Sequence, residues 1–292
     1  MTKLLAVEPK KTAPKKPKIL IFGKSGVGKT FTALDFPKAY YIDTEAGATR
    51  PHYTQKLHDS GGVYLGHDHG SLSFDTIIGQ VKALATQKHE YKTLVIDSVS
   101  KLYNTAIGDE QERLGDKDAF GASKKIPVQK MRSLIGWLSR IDMNVILIAH
   151  EKDEYGVDAK GVTQVIGKTY DAWDKLEYEL DLTMQIVKAG KNRNALVRKS
   201  RLKEFEENSH FLWSYSEFSE RYGKEIIEKE SKALDLATDE QMERIKFLVQ
   251  NTSLPDGQES KWLAASGVSG WDEMPADRVQ AAIEHIETTY TT

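Results

Sequence analysis

The sequence predicts an α/β protein with a mostly parallel central sheet flanked by helices, followed by a small all-helical module. Three observations carry this prediction. The run Gly23-Lys24-Ser25-Gly26-Val27-Gly28-Lys29-Thr30 fits the phosphate-loop pattern Gly-x-x-x-x-Gly-Lys-Ser/Thr at every position. Apolar runs that read as buried strands lead into this loop (Ile19–Phe22) or end in a polar or acidic residue (Ala39–Asp43, Thr93–Asp97, Asn144–His150). A chain of 292 residues with 39% hydrophobic and 29% charged residues has the composition of a globular protein, long enough for one large domain and an appendage.

Composition also excludes. No apolar run approaches the length of a transmembrane span, the N-terminus lacks a signal-peptide core, and there is no cysteine. Disulfides and cysteine metal sites are therefore ruled out, and a reducing cytoplasm is the expected location. The net charge of −2 leaves any nucleic-acid contact to local basic patches.

Residues 1–17 hold Lys3, Lys10, Lys11, Lys15 and Lys16 with three prolines, and read as a flexible basic arm. Leu4-Leu5-Ala6-Val7 within it is a possible docking patch. In the phosphate loop, glycines let successive backbone N–H groups turn inward around a polyphosphate. Lys29 is expected at the β- and γ-phosphates and the Thr30 hydroxyl on Mg²⁺. A short helix from Phe31 to Leu34 follows, ended by Pro37.

The strand Ala39–Asp43 runs into Thr44-Glu45-Ala46-Gly47, where Glu45 is placed to polarise a water for attack on the γ-phosphate, or is simply solvated. Val63–Leu65 reads as a short strand, and Ser71 or Ser73 caps a helix with Phe74, Ile77, Ile78, Val81 and Leu84 at helical spacing. The strand Thr93–Asp97 ends in the acid expected to bind Mg²⁺, directly or through water.

Residues 104–127 read as a mobile polar loop before a helix over 128–140. That helix has a core-facing stripe, with Trp137 on its exposed side or at a subunit contact. His150, at the end of the next strand, is positioned to sense the γ-phosphate or is an inert strand-end histidine. Residues 151–178 read as one long polar loop with Lys152, Lys160 and Lys168 and the aromatics Tyr155, Tyr170 and Trp173. Cations with aromatic faces are what a single-stranded nucleic-acid site needs, although a plain surface loop has the same composition.

Leu182–Val187 and Ala195–Val197 are strands joined at Gly190–Asn194. From Ile186 to Leu202 lie Lys188, Lys191, Arg193, Arg198, Lys199 and Arg201 without an acid, either a solvated face or cations offered to a neighbouring subunit's nucleotide. One amphipathic helix is expected over 214–229, a linker over 231–237, and a helical module over 238–292. The module begins at a Thr238 cap, with further elements at Leu263–Val268 and after Pro275. From residue 236 onward it carries ten acids against four Lys/Arg, which suits a protein-docking role better than a grip on DNA.

These motifs in this order resemble a RecA-type recombinase core, over roughly residues 18–205 of an ATPase core spanning 18–230. Tyr41-Ile42-Asp43-Thr44-Glu45 resembles the family's strand with the catalytic glutamate, and Val95-Ile96-Asp97-Ser98-Val99 its Mg²⁺-binding strand. His150 stands where the family commonly has a glutamine sensor. The resemblance implies that loops 113–127 and 151–173 bind DNA, through Lys124, Lys125, Lys160, Lys168, Tyr170 and Trp173, and that Lys199 and Arg201 act in trans. More narrowly, the short arm, Ala149-His150-Glu151-Lys152 and the acidic module resemble phage-encoded RecA-like ATPases of the single-strand annealing class.

The implied function is ATP-dependent binding of single-stranded DNA that promotes annealing or strand exchange. It implies Mg²⁺, ATP at the interfaces of a ring or filament, and a single-strand binding protein as partner of the module. The rival expectations are a non-hydrolytic DNA-binding protein that uses ATP only as an assembly switch, a small-molecule kinase, and a helicase or its loader.

Overall fold

The computed structural model describes residues 14–157, 161–266, 268 and 270–290. Residues 1–13, most of the expected arm, and Lys160 lie outside the described residues. The strands are β1 (Lys18–Gly23), β2 (Ala39–Asp43), β3 (Val63–Leu65), β4 (Thr93–Asp97), β5 (Asn144–Val157), β6 (Thr163–Asp171), β7 (Leu182–Ala189), β8 (Asn192–Ser200) and β9 (His210–Leu212). They form one sheet in the order β3-β2-β4-β5-β1-β7-β8-β9, with β6 attached to β5. Strands β3, β2, β4, β5, β1 and β7 run parallel. Hairpin partners β8 and β9 close one edge antiparallel.

The helices are α1 (Lys29–Ala33), α2 (Pro51–Ser60), α3 (Phe74–Thr86), α4 (Val99–Leu114), α5 (Lys125–Arg140), α6 (Tyr215–Tyr222), α7 (Lys224–Ile227), α8 (Asp239–Asn251), α9 (Gln258–Ser266) and α10 (Ala276–Thr289). Alternation along β1 explains why its sequence is apolar throughout. Leu20 and Phe22 pack with α3, α4 and α5 on one face, while Ile19 and Ile21 pack with α1, α6 and α7 on the other. The C-terminal helices have their own core of Ile245, Leu248, Trp271, Val279 and Ile283.

Several elements differ from expectation. Residues 104–114 continue α4, so the loop before α5 is confined to about Gly115–Lys124. The segment read as a polar loop after His150 is instead a two-stranded ribbon, the far half of β5 paired with β6 and bulged between Glu154 and Tyr155. Its strands are rich in charged and polar residues and have no clean alternation, so lysines and glycines read as loop markers. The helix expected over 214–229 breaks at Gly223, whose φ of 111° ends α6.

Trp137 is buried, with the Arg140 guanidinium 3.8 Å above its ring. The end of the expected arm is anchored: Lys16 is buried and donates to the Lys229 carbonyl, and Val145 N–H donates to the Pro17 carbonyl at 2.9 Å. The expected linker is fastened too, Leu234 N–H donating to the Ala85 carbonyl at 2.7 Å and Ala276 N–H to the Asp235 carbonyl at 2.8 Å. No helix among the described residues is long and apolar enough to cross a membrane.

Candidate nucleotide site

Parallel pairing brings the C-terminal ends of β1, β2, β4 and β5 to one edge. Asp43 is the register partner of Asp97, and Gly23 that of His150. The phosphate loop leaves β1 at Gly23, where φ is 153° and a Cβ would lie 2.3 Å from the Ile186 carbonyl oxygen of β7. Only glycine fits between those backbones. We expect Gly23→Ala to lower stability by about 1–3 kcal/mol, read by urea unfolding, and to weaken nucleotide binding as the loop shifts. Gly28, at φ 91°, turns the chain into α1.

The loop, Glu45, Asp97 and His150 line a cleft of about 890 Å³, ample for a nucleoside triphosphate. Lys29 Nζ donates to the carbonyls of Gly23 at 2.7 Å and Lys24 at 2.9 Å. Burial holds its ammonium below the usual lysine range, against the pull of Asp97, Glu151 and Glu45. Thr30 Oγ1 donates to Asp97 Oδ2 at 2.5 Å, and Tyr41 OH donates to the same oxygen at 3.3 Å.

Burial pushes the Asp97 carboxyl up to about 6, the Thr30 bond opposing and Glu45 and Asp43 adding to the rise. A hydroxyl and a carboxylate in contact are the hard oxygen donors that suit Mg²⁺ taking its other ligands from phosphate and water. Among the described residues no cluster of three His, Cys, Asp or Glu could hold a metal by itself.

Glu45 belongs to a second network. Ser98 Oγ donates to Glu45 Oε1 at 2.5 Å, and His150 Nε2 lies 3.1 Å from the same oxygen and 3.3 Å from Ser98 Oγ. Since the Ser98 proton goes to Glu45, the His150 tautomer that fits carries its proton on Nε2. Ser98 also caps α4 by accepting from Lys101 N–H at 3.1 Å, so its side chain cannot drift. Asp43 shapes the loop that carries Glu45, accepting from Glu45 N–H at 3.0 Å and Ala48 N–H at 2.6 Å.

The arrangement brings together Lys29, Thr30, Asp97, Glu45 and His150 as the sequence suggested. The expected loop and trans residues fare differently. Lys199 and Arg201 sit at the far end of β8 from the phosphate loop, where Lys199 donates to the Leu180 carbonyl and Arg201 to the Tyr178 carbonyl. The cation of that run beside the cleft is Arg193, at the other end of the same strand.

Tyr170, expected to stack on a base, is buried against Phe22 and donates to the Asp174 carbonyl at 2.9 Å. Lys168 is paired with Asp153. Trp173 is half-buried, with the Arg132 guanidinium 5.5 Å from its ring. Lys124 and Lys125 stay exposed at the start of α5. Sequence reading missed Ser98, Tyr41, Asp43 and Arg193 as site residues. The first three sit within or beside the strand ends already singled out, but Arg193 required knowing that β7 lies next to β1.

The family described as an AAA domain matches residues 15–211. This chain belongs to that family. The AAA domain thus takes in the phosphate loop, both acidic strand ends, the β5–β6 ribbon and the β7–β8 hairpin, and leaves α6 to α10 outside it. A P-loop ATPase assignment follows from this family and site. Among solved structures, a prototypical ATPase from the type III secretion system of pathogenic bacteria is similar at 13% identity and a TM-score of 0.40, covering 92% of this chain and 79% of its own. No curated protein matches the sequence.

Proposed function

We propose that this AAA-domain protein hydrolyses ATP and couples hydrolysis to binding single-stranded DNA, promoting annealing or strand exchange as phage recombination proteins do. The observation that carries the reading is the Glu45–Ser98–His150 network. Its histidine is the first residue of the protruding half of β5, so the residue that contacts the candidate base Glu45 and an exposed ribbon share one strand.

In the proposed reaction the loop N–H groups and Lys29 hold the phosphates, and Thr30 and Asp97 hold Mg²⁺. The metal, when bound, neutralises charge on the phosphate oxygens. Glu45 takes a proton from the water whose oxygen bonds to the γ-phosphorus, while the bond from that phosphorus to the bridging oxygen breaks and ADP leaves. His150 orients the Glu45 carboxylate by donating to it.

Support for a single-stranded partner comes from the loop between α4 and α5. Phe120 is fully exposed at a φ of 53°, a left-handed conformation that a bulky residue adopts only under constraint. Lys117, Lys124 and Lys125 flank it in sequence, which offers a stacking face with phosphate partners. Homo-oligomerisation, a trans role for Lys199 and Arg201, and docking of a single-strand binding protein on the module are further parts of the proposal, resting on the family resemblance. The trans role requires both cations to give up their carbonyl bonds.

One observation favours a protein partner in place of DNA. The ribbon from Glu151 to Asp171 has five acids against three lysines and exposes Tyr155, Val157 and Val165, a surface better suited to protein than to phosphate. Steady-state ATP hydrolysis with and without single-stranded DNA over a salt series separates the two. We expect stimulation of about tenfold or more, fading as salt rises. Turnover indifferent to single strands at every salt concentration would sink the DNA reading.

A further inference from the structure

We infer that Arg193 is a nucleotide-binding residue, supplied in cis, that clasps the α- and β-phosphates from the side of the phosphate loop opposite Glu45. The inference rests on the nucleotide reading above and adds a ligand to that site. Its first support is position. In the sheet, β1 has β5, β4 and β2 on one side, bearing His150, Asp97 and the strand leading to Glu45, and β7 and β8 on the other. Arg193 pairs with Lys188 near the tip of the β7–β8 hairpin, and Trp213 N–H donates to its carbonyl at 2.7 Å. Its backbone on β8 is therefore held by β7 on one side and by the residue that follows β9 on the other.

The second support is where the side chain lies. It runs across Gly28 so closely that a Cβ on that glycine would stand 1.9 Å from Arg193 Nε and 2.6 Å from Cδ. The guanidinium carbon is 5.2 Å from the centre of the Phe31 ring. Gly28 and Phe31 bracket Lys29 and Thr30, so the cation is held over the loop, where it lines the cleft.

The third support is that its donors are unspent. Arg198, on the same strand, is occupied by Gln185 and Glu154. Arg193 is half-buried, and among the described residues no carboxylate reaches it within ion-pair distance. A guanidinium partly removed from water and left unpaired carries a solvation cost that a bound anion would offset. Its planar fork suits two oxygens of adjacent phosphates, which a lysine point charge does not match. The cleft's carboxylates mark the γ-phosphate end on the other side of β1, so Arg193 serves the phosphates that ATP and ADP share.

The test is equilibrium binding of Mg²⁺-ATP and Mg²⁺-ADP to wild type, Arg193→Met and Arg193→Lys, with steady-state kinetics alongside. Met keeps the stem that packs on Gly28 and Phe31. For Arg193→Met we expect Kd to rise about 10- to 100-fold for both nucleotides alike, as for loss of charged hydrogen bonds. KM should follow Kd, kcat should fall by much less than Kd rises, and Arg193→Lys should lie between. Unchanged ADP affinity in a folded Arg193→Met protein overturns the inference. So does weakened ATP binding alone with a collapse of kcat, which would place the group at the γ-phosphate. Wild type that binds neither nucleotide overturns the nucleotide reading as well, an outcome distinct from a wild type that binds while Arg193→Met is unaffected.

Discussion

Asp97→Asn is expected to make the nucleotide-free protein more stable and to abolish its hydrolysis. Asp97 is buried beside Asp43 and Glu45, and its carboxyl titrates near 6 in the folded state against 3.8 for the free side chain. The folded state therefore binds more protons than the unfolded one between these values, and stability falls as pH rises through that window. Above about pH 6 the full penalty applies, at most about 3 kcal/mol by the conversion of pKa to free energy. Asparagine removes it, and its amide oxygen can still accept from Thr30 and Tyr41, which both donate to one carboxylate oxygen.

Thermal unfolding should thus show Asp97→Asn melting higher than wild type at pH 7 to 8, with the difference vanishing toward pH 4. A gap that persists at pH 4 would mean that the gain comes from packing and not from charge. Hydrolysis should fall on the order of a hundredfold or more, because a neutral amide is a poor ligand for the cation that neutralises the phosphates. Stability given up for a carboxylate at the reaction centre is a common cost of function.

Glu45→Gln is expected to lower kcat by about 10²- to 10⁴-fold, the range for removing a general base. ATP affinity should change little. Ser98 and His150 both reach Oε1 of Glu45, and the glutamine oxygen accepts the same two bonds, so the loop keeps its shape. Single-turnover hydrolysis with a parallel binding measurement reads both quantities. Full turnover in this variant would remove Glu45 from the chemistry and leave its network as a structural brace. An intermediate loss that deepens when His150→Ala is added would show that the histidine also assists the water.

The residues of the candidate site were legible in the sequence where a motif occupies consecutive positions. A phosphate loop needs its glycines, lysine and hydroxyl within eight residues, because the backbone itself is the binding surface. Asp97 and Glu45 were legible for a related reason: a parallel sheet delivers strand ends to one edge, so an apolar run ending in an acid announces a site. The β5–β6 ribbon was misread because its glycines and lysines are the marks of a loop, whereas the cross-strand pairing of Tyr155 with Val165 that makes it a ribbon involves residues ten apart. Tyr170 looked available for stacking until its ring proved to fill the space beside Phe22.

The basic run from Lys188 to Arg201 separates the two kinds of knowledge. By itself the sequence determined that a phosphate loop follows an apolar strand, that two further strands run into acids, and that a cation-rich hairpin comes later. It did not determine which cation meets the nucleotide cleft. A strand rises about 3.3 Å per residue, so Lys199 and Arg193 are separated by roughly 20 Å along β8 and lie toward opposite ends of the sheet. Direction and neighbour decide between them: β8 runs antiparallel to β7, and β7 sits against β1, which carries the phosphate loop. Those pairings come from long-range hydrogen bonds and from burial on both faces, and a linear pattern of charges contains neither.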